Sequence, residues 1–300
     1  MKPSRDDLPR ADIDGHGDVP AVHPSRWGTT LLRVAAFSGF GLGLLLGLTL
    51  AVGVYPAGRG DALVPLAVGA VLAGAGLLVA WLHPGWMPGW YGWRIGKGTR
   101  PTREALLALA TGLPLLAVAG LARGDNSFWA TRLAGVALAL CCLATLVVTA
   151  HGDAGRQAPG LDHRLVTQLP LSRVVSATYG GGLWLWLCVV GQAGDEGGLH
   201  PLAWIIGLLL LALLRGLIEN LRWQAVLGRL PGLRAWVELQ PRRYLGALLA
   251  YAVPCACLLL ASFGDARLLV AALAASSGLA GMGIELSLYD GALAALPDGR

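Results

Sequence analysis

Eight long apolar stretches restrict what this chain can fold into. They begin near Leu31, Ala62, Glu104, Thr131, Val174, Pro201, Tyr244 and Arg267, and end near Tyr55, Leu82, Leu121, Ala150, Gln192, Ile218, Ser262 and Tyr289. A helix needs about 20 mostly apolar residues to cross the hydrocarbon core of a bilayer. The runs are continuous rather than alternating, so they predict helices and not the strands of a barrel. The expected fold is all-α: a polytopic membrane protein of eight transmembrane helices. Residues 29–291 would form the helical domain, residues 1–28 a flexible cytoplasmic N-terminal tail, and residues 292–300 a C-terminal tail.

Composition supports lipid as the solvent. Charged residues are 14% of the chain and hydrophobic residues 55%, whereas a soluble domain carries about 25% charged residues. The first apolar run does not read as a cleaved signal. A polar segment with five aspartates precedes it, and the run exceeds the core of about 7–15 residues that such a signal has.

Nineteen of the 23 lysines and arginines fall in the N-terminal tail, the second-to-third, fourth-to-fifth and sixth-to-seventh connections and the C-terminus; Arg59, Arg123, Arg132 and Arg267 make up the rest. By the positive-inside rule both termini lie in the cytoplasm, as expected for a multi-pass protein of a prokaryotic inner membrane. The net charge of +5 is spread over loops flanking the membrane. It therefore suits anionic headgroups or an acidic protein surface, and no nucleic acid is implied.

The extramembrane segments are too short for a folded domain; the longest, from Glu219 to Arg243, is far below the usual minimum of about 50 residues. Hard chemistry would then sit inside the membrane or on another subunit. Cys141, Cys142, Cys188, Cys255 and Cys257 all fall within predicted spans without Cys-x-x-Cys spacing and read as small buried residues. No histidine is placed mid-span, so no haem is expected. Of the carboxylates, Glu104, Glu219 and Glu285 lie at or within span boundaries, and Glu285 is the remaining polar candidate in the bundle, either snorkelling or pairing with an arginine. Gly39, Gly43 and Gly47 recur every fourth residue and predict a close helix contact. Arg103 to Pro114 and Arg243 to Pro254 repeat one spacing in the third and seventh spans, as an internal duplication would.

The stretch from Trp81 to Glu104, WLHPGWMPGWYGWRIGKGTRPTRE, supports two readings. In one, Trp81, Trp86, Trp90 and Trp93 sit at headgroup level, Arg94, Lys97, Arg100 and Arg103 supply inside charge, and Glu104 is a first-turn acid favoured by the helix dipole. In the other, His83 and Glu104 converge at the cytoplasmic ends of the second and third spans. A histidine titrating near pH ~6.5 beside a carboxylate would hydrogen-bond a quinone carbonyl and exchange its protons, between aromatic walls.

Four segments together resemble the membrane anchor subunits of the dimethyl-sulfoxide-reductase family (DmsC-like). They are HPSRWGTTLLRVAAFSGFGLGLLLGL at the start, WLHPG at Trp81–Gly85, PTREALLALATGLP at the third run, and IELSLYDGALA near the end. The resemblance implies an eight-helix subunit with no haem or iron–sulfur cluster of its own. Such a subunit anchors an iron–sulfur electron-transfer subunit and a molybdopterin catalytic subunit, and exchanges electrons with quinone or quinol, menaquinone or ubiquinone. It also implies that His83 and Glu104 are the quinone-binding and proton-exchanging pair; Trp86, Trp90, Arg103 and Glu285 are the candidates to support them. Arg94, Lys97, Arg100, Arg222 and Arg229 are the candidates for docking the partner. The family's arginine after the histidine is missing here, where the run is GWMPGWYGW. Two other readings stay open: a small-solute transporter, and a structural anchor without quinone chemistry.

Overall fold

The computed structural model describes residues 27–55, 60–82, 103–122, 128–157, 163–192, 201–227, 233–262 and 267–294. Helices α1 (Trp27–Val52), α2 (Leu63–Leu82), α3 (Arg103–Ala110), α4 (Gly112–Leu121) and α5 (Trp129–Gln157) form the first part. The second comprises α6 (His163–Gln192), α7 (Pro201–Leu227), α8 (Leu233–Ala247), a π turn (Leu248–Ala252), α9 (Val253–Ala261) and α10 (Arg267–Ala294). No strand occurs among the described residues.

Among the described residues, seven segments are long and apolar enough to cross a bilayer: Trp27–Val52, Arg103–Leu121, Trp129–His151, Pro170–Gln192, Leu202–Gln224, Gln240–Ala261 and Arg267–Ala292. The second expected span, α2, contributes a shorter apolar stretch, Leu63–Leu78, packed against α1. The structure therefore supports a polytopic all-α membrane protein. The expected loops between spans are also shorter than read from hydropathy. Helix α5 continues to Gln157, α7 to Leu227, and α8 begins at Leu233. Beyond the lipid a helix needs no apolar side chains to satisfy its backbone, so hydropathy alone ends it too early.

Helix α1 is the hub, packed against α2, α5, α6 and α10. Lipid tails are as apolar as leucine, so helices in a membrane hold together by close packing rather than by apolar transfer. Glycine permits that approach. A Cβ on Gly39 would come within 2.7 Å of the Ala73 nitrogen and the Gly69 carbonyl oxygen in α2. On Gly47 it would come within 2.6 Å of the Gly135 carbonyl oxygen in α5. The glycines predicted to make one contact face thus serve two neighbours. At Gly41 a Cβ would overlap the backbone of Ala177 in α6, a contact outside the four-residue spacing.

Spans that follow one another in the chain alternate in direction. Phe37 lies beside Arg173 and Tyr55 beside Gln192, so α1 and α6 run parallel, while Arg33 at the start of α1 meets Asp290 near the end of α10 at 3.0 Å. Both ends of the helical domain therefore lie at one face of the bundle, here called the terminal face. At the opposite face Tyr55 donates to Gln192 Oε1 at 2.9 Å and Gln192 donates to the Asp61 carbonyl at 2.6 Å; burial pushes the Tyr55 phenol above its ordinary pKa. Two apolar cores result, one shared mainly by α1, α2, α4 and α5, the other by α6, α7, α9 and α10.

Pro170 and Pro241 lie inside α6 and α8, and two further prolines coincide with breaks in the helical ladder. Proline has no N–H to offer the carbonyl four residues back. Pro114 follows the break at Thr111 between α3 and α4, where the threonine hydroxyl donates to the Ala108 carbonyl at 2.6 Å. Pro254 follows the π turn, and the carbonyl it leaves free, on Ala250, accepts from the Tyr179 hydroxyl at 2.9 Å. The repeated arginine-to-proline spacing thus coincides with two helix irregularities.

Gly41→Leu is expected to lower the thermal unfolding midpoint in detergent by the equivalent of about 1–3 kcal/mol, the usual cost of overpacking. Gly28→Leu is the control, because nothing lies within 4 Å of its added Cβ. Circular dichroism on heating checks both; equal midpoints would show that the α1–α6 contact contributes nothing.

Candidate functional site

Two places bring chemistry-bearing residues together at or below the terminal face. The first is the corner expected from sequence. Helix α2 ends at Leu82 and α3 starts at Arg103, both at this face. Glu104 occupies the first turn of α3, where the exposed N–H groups and the dipole favour a carboxylate. It is nonetheless buried, as are Ala105 and Ala108 on the same helix, while Arg103 is exposed. Thr145 and Thr149 of α5, against which α3 packs, are fully buried. His83, Trp86, Trp90, Arg94, Lys97, Arg100 and Arg229 lie outside the described residues. The corner therefore sets a buried carboxylate at the face where α2 delivers the chain into the tryptophan-rich stretch.

An apolar cleft of about 350 Å³ begins one helical turn below Glu104, lined by residues of α1 to α5 that include Gly39, Gly69, Ala73, Ala108, Thr111 and Leu115. Small residues on α1 and α2 leave this space open.

The second place lies inside the bundle. Arg215 sits near the midpoint of the Leu202–Gln224 span. It is 3% exposed and forms an ion pair with Glu285 of α10, while its Nε donates to Ser176 Oγ of α6 at 3.1 Å. One turn further on, Glu219 accepts from Ser172 at 2.5 Å and from Arg222 at 3.3 Å. Aromatic rings cover the cations: Arg215 lies 4.8 Å from the Tyr251 ring centre, Arg222 3.4 Å from that of Tyr289, and Arg173 4.2 Å from that of Phe37. Tyr251 is delivered by the π turn, so the irregularity at Pro254 positions one wall of this cluster.

Several expectations are thereby refined. Glu285 pairs with an arginine instead of snorkelling. Arg222, expected as a docking charge, is half-buried and directed towards Glu219 and Tyr289. Arg215 was legible only as inside charge, although Arg215, Glu219 and Arg222 follow one another at four- and three-residue spacing on one helix face. That i, i+4, i+7 pattern in an apolar run was the signal for an internal cluster. Among the described residues no group of three or more histidines, cysteines or carboxylates is placed to hold a metal ion. The cysteines are free thiols in or beside the packed interior.

An ion pair taken out of water is costly to break from one side, because the remaining charge stays buried. The fold and its interior charges define a polytopic helical membrane protein with a polar cluster held within lipid depth. Comparison with protein-family models, with curated proteins and with solved structures gives no match.

Arg215→Met is expected to destabilise the protein by about 3–5 kcal/mol, and the Arg215→Met, Glu285→Leu double variant by clearly less than the sum of the singles. Unfolding midpoints in detergent give this cycle; additive effects would mean that the pair does not couple. Tyr179→Phe, which leaves the Ala250 carbonyl without its donor, is expected to cost about 1–3 kcal/mol in the same assay.

Proposed function

We propose that the chain is the membrane anchor and quinone-exchanging subunit of a molybdopterin oxidoreductase complex, of the dimethyl-sulfoxide-reductase or sulfite-dehydrogenase type. The observation that carries this reading is the buried Glu104 in the first turn of α3, at the face where α2 ends one residue before His83. A carboxylate withdrawn from water is suited to passing protons to and from a quinone oxygen. The likeness of WLHPG and PTREALLALATGLP to the anchor family adds the substrate class and the partners. An iron–sulfur subunit would receive or deliver the electrons at this face, with Arg94, Lys97, Arg100, Arg103 and Arg229 as its docking charges. In this arrangement both termini and the partner complex face the cytoplasm of a prokaryotic cell. Helices α2 and α3, with the stretch between them, position the quinone; His83 and Glu104 move its two protons.

One observation favours a second reading. The break at Thr111 and the π turn at 248–252 interrupt two spans at matching distances before a proline, and interrupted helices are a feature of solute transporters. A mild-detergent pull-down of the tagged chain from native membranes separates the two. An anchor brings two further subunits with molybdenum and iron in stoichiometric amounts, whereas a transporter comes alone and metal-free. In the assembled complex, His83→Ala and Glu104→Gln are each expected to slow electron exchange with quinone by about 10²-fold or more, with the partner subunits still bound. Wild-type rates in both variants would remove quinone chemistry from this corner and leave a structural anchor.

A further inference from the structure

The interior cluster has a feature that the quinone reading does not use. Among α1, α6, α7 and α10 lies a cavity of about 60 Å³. Its lining is polar for a site at lipid depth: Ser38, Ser172, Ser176, Arg215, Glu219 and Glu285 face it, with Phe37 and Met282 as apolar walls. Arg215 gives its Nε to Ser176 and its Nη2 to Glu285, and its buried Nη1 has no hydrogen-bond partner among the described residues. A buried guanidinium N–H without an acceptor is costly, so the cavity calls for an acceptor at this point.

Size selects which. A quinone ring is too large, since even benzene occupies a cavity of about 150 Å³. Arg173 and Arg222 line the cavity beside Arg215, and the two carboxylates are already engaged, Glu219 by Arg222 and Glu285 by Arg215. Each water takes about 30 Å³, which leaves room for about two. Ser172, Ser176 and Ser38 supply the two to four polar partners that a buried water requires. Ser176 and Glu285 are half-buried, so the cavity is not sealed. Its other polar residues, Ser172, Glu219 and Arg222, climb from Arg215 towards the terminal face, about 13 Å away along α7 at 1.5 Å per residue.

We propose that this cavity is a water-binding inlet: water enters the bundle from the terminal face between α6, α7 and α10 and binds Arg215 Nη1 beside Glu285. The ion pair at the middle of the membrane is then in exchange with the aqueous phase at one face only. The inlet stands independently of the quinone corner, because it rests on different helices and a different set of side chains.

Radiolytic hydroxyl-radical footprinting of the wild-type protein in nanodiscs tests this, because radicals formed from a bound water oxidise the side chain beside it. Met282 is 5% exposed and lines the cavity; it is expected to convert to the sulfoxide in proportion to dose. No conversion of Met282, at doses that oxidise exposed control residues, would overturn the proposal.

Discussion

The structure depends on how closely α1 approaches its neighbours. Because burial against lipid and burial against protein are nearly equivalent for an apolar side chain, the bundle is held by contacts whose strength falls off over fractions of an ångström. Gly39, Gly41 and Gly47 bring the α1 backbone against α2, α6 and α5. With α1 seated, Phe37 and Ser38 form one side of the interior cavity and Arg33 reaches α10. The glycines thus determine which polar groups meet, although they carry no chemistry themselves.

Close packing also explains how a chain with few charges keeps several of them within the membrane. Arg215 and Glu219 are separated from lipid by α6, α10 and the aromatic rings of Tyr179, Tyr251 and Tyr289. Their hydrogen bonds run to serines on α6 rather than to backbone groups, which are already committed to the helices. The π turn fits the same scheme. Pro254 frees the Ala250 carbonyl, Tyr179 satisfies it, and the altered register directs Tyr251 over Arg215. One residue without an N–H is therefore linked to the position of a ring two turns deep in the polar cluster.

The all-helical, membrane-spanning class was legible because long apolar runs leave a chain few alternatives. The glycine contacts of α1 were legible in part: the four-residue spacing marked Gly39, Gly43 and Gly47, but Gly41 stands outside it and makes a closer approach. Helix ends were not legible, since α5, α7 and α8 continue through polar residues after hydropathy falls. Within the site, the first-turn place of Glu104 was legible and its burial was not, and the inward turn of Arg222 was hidden too. An arginine at a span end satisfies the positive-inside pattern whether it points to water or to Glu219, and only the packed α6 and α10 distinguish the two. The meeting of Arg215 with Glu285 spans 70 residues of sequence, a distance over which no local pattern carries information.

The contact between Arg33 and Asp290 joins α1 to α10 across 257 residues of sequence. Membrane helices are inserted in the order of their synthesis, so Arg33 is in place long before Asp290 exists. During that interval the arginine relies on other partners, and water and headgroups at the terminal face supply them, which keeps the start of α1 near that surface. Arrival of α10 adds the carboxylate and closes the helices around the interior charges. The order of synthesis is thereby recorded in the bundle as a latch, one that engages only once α10 has been made.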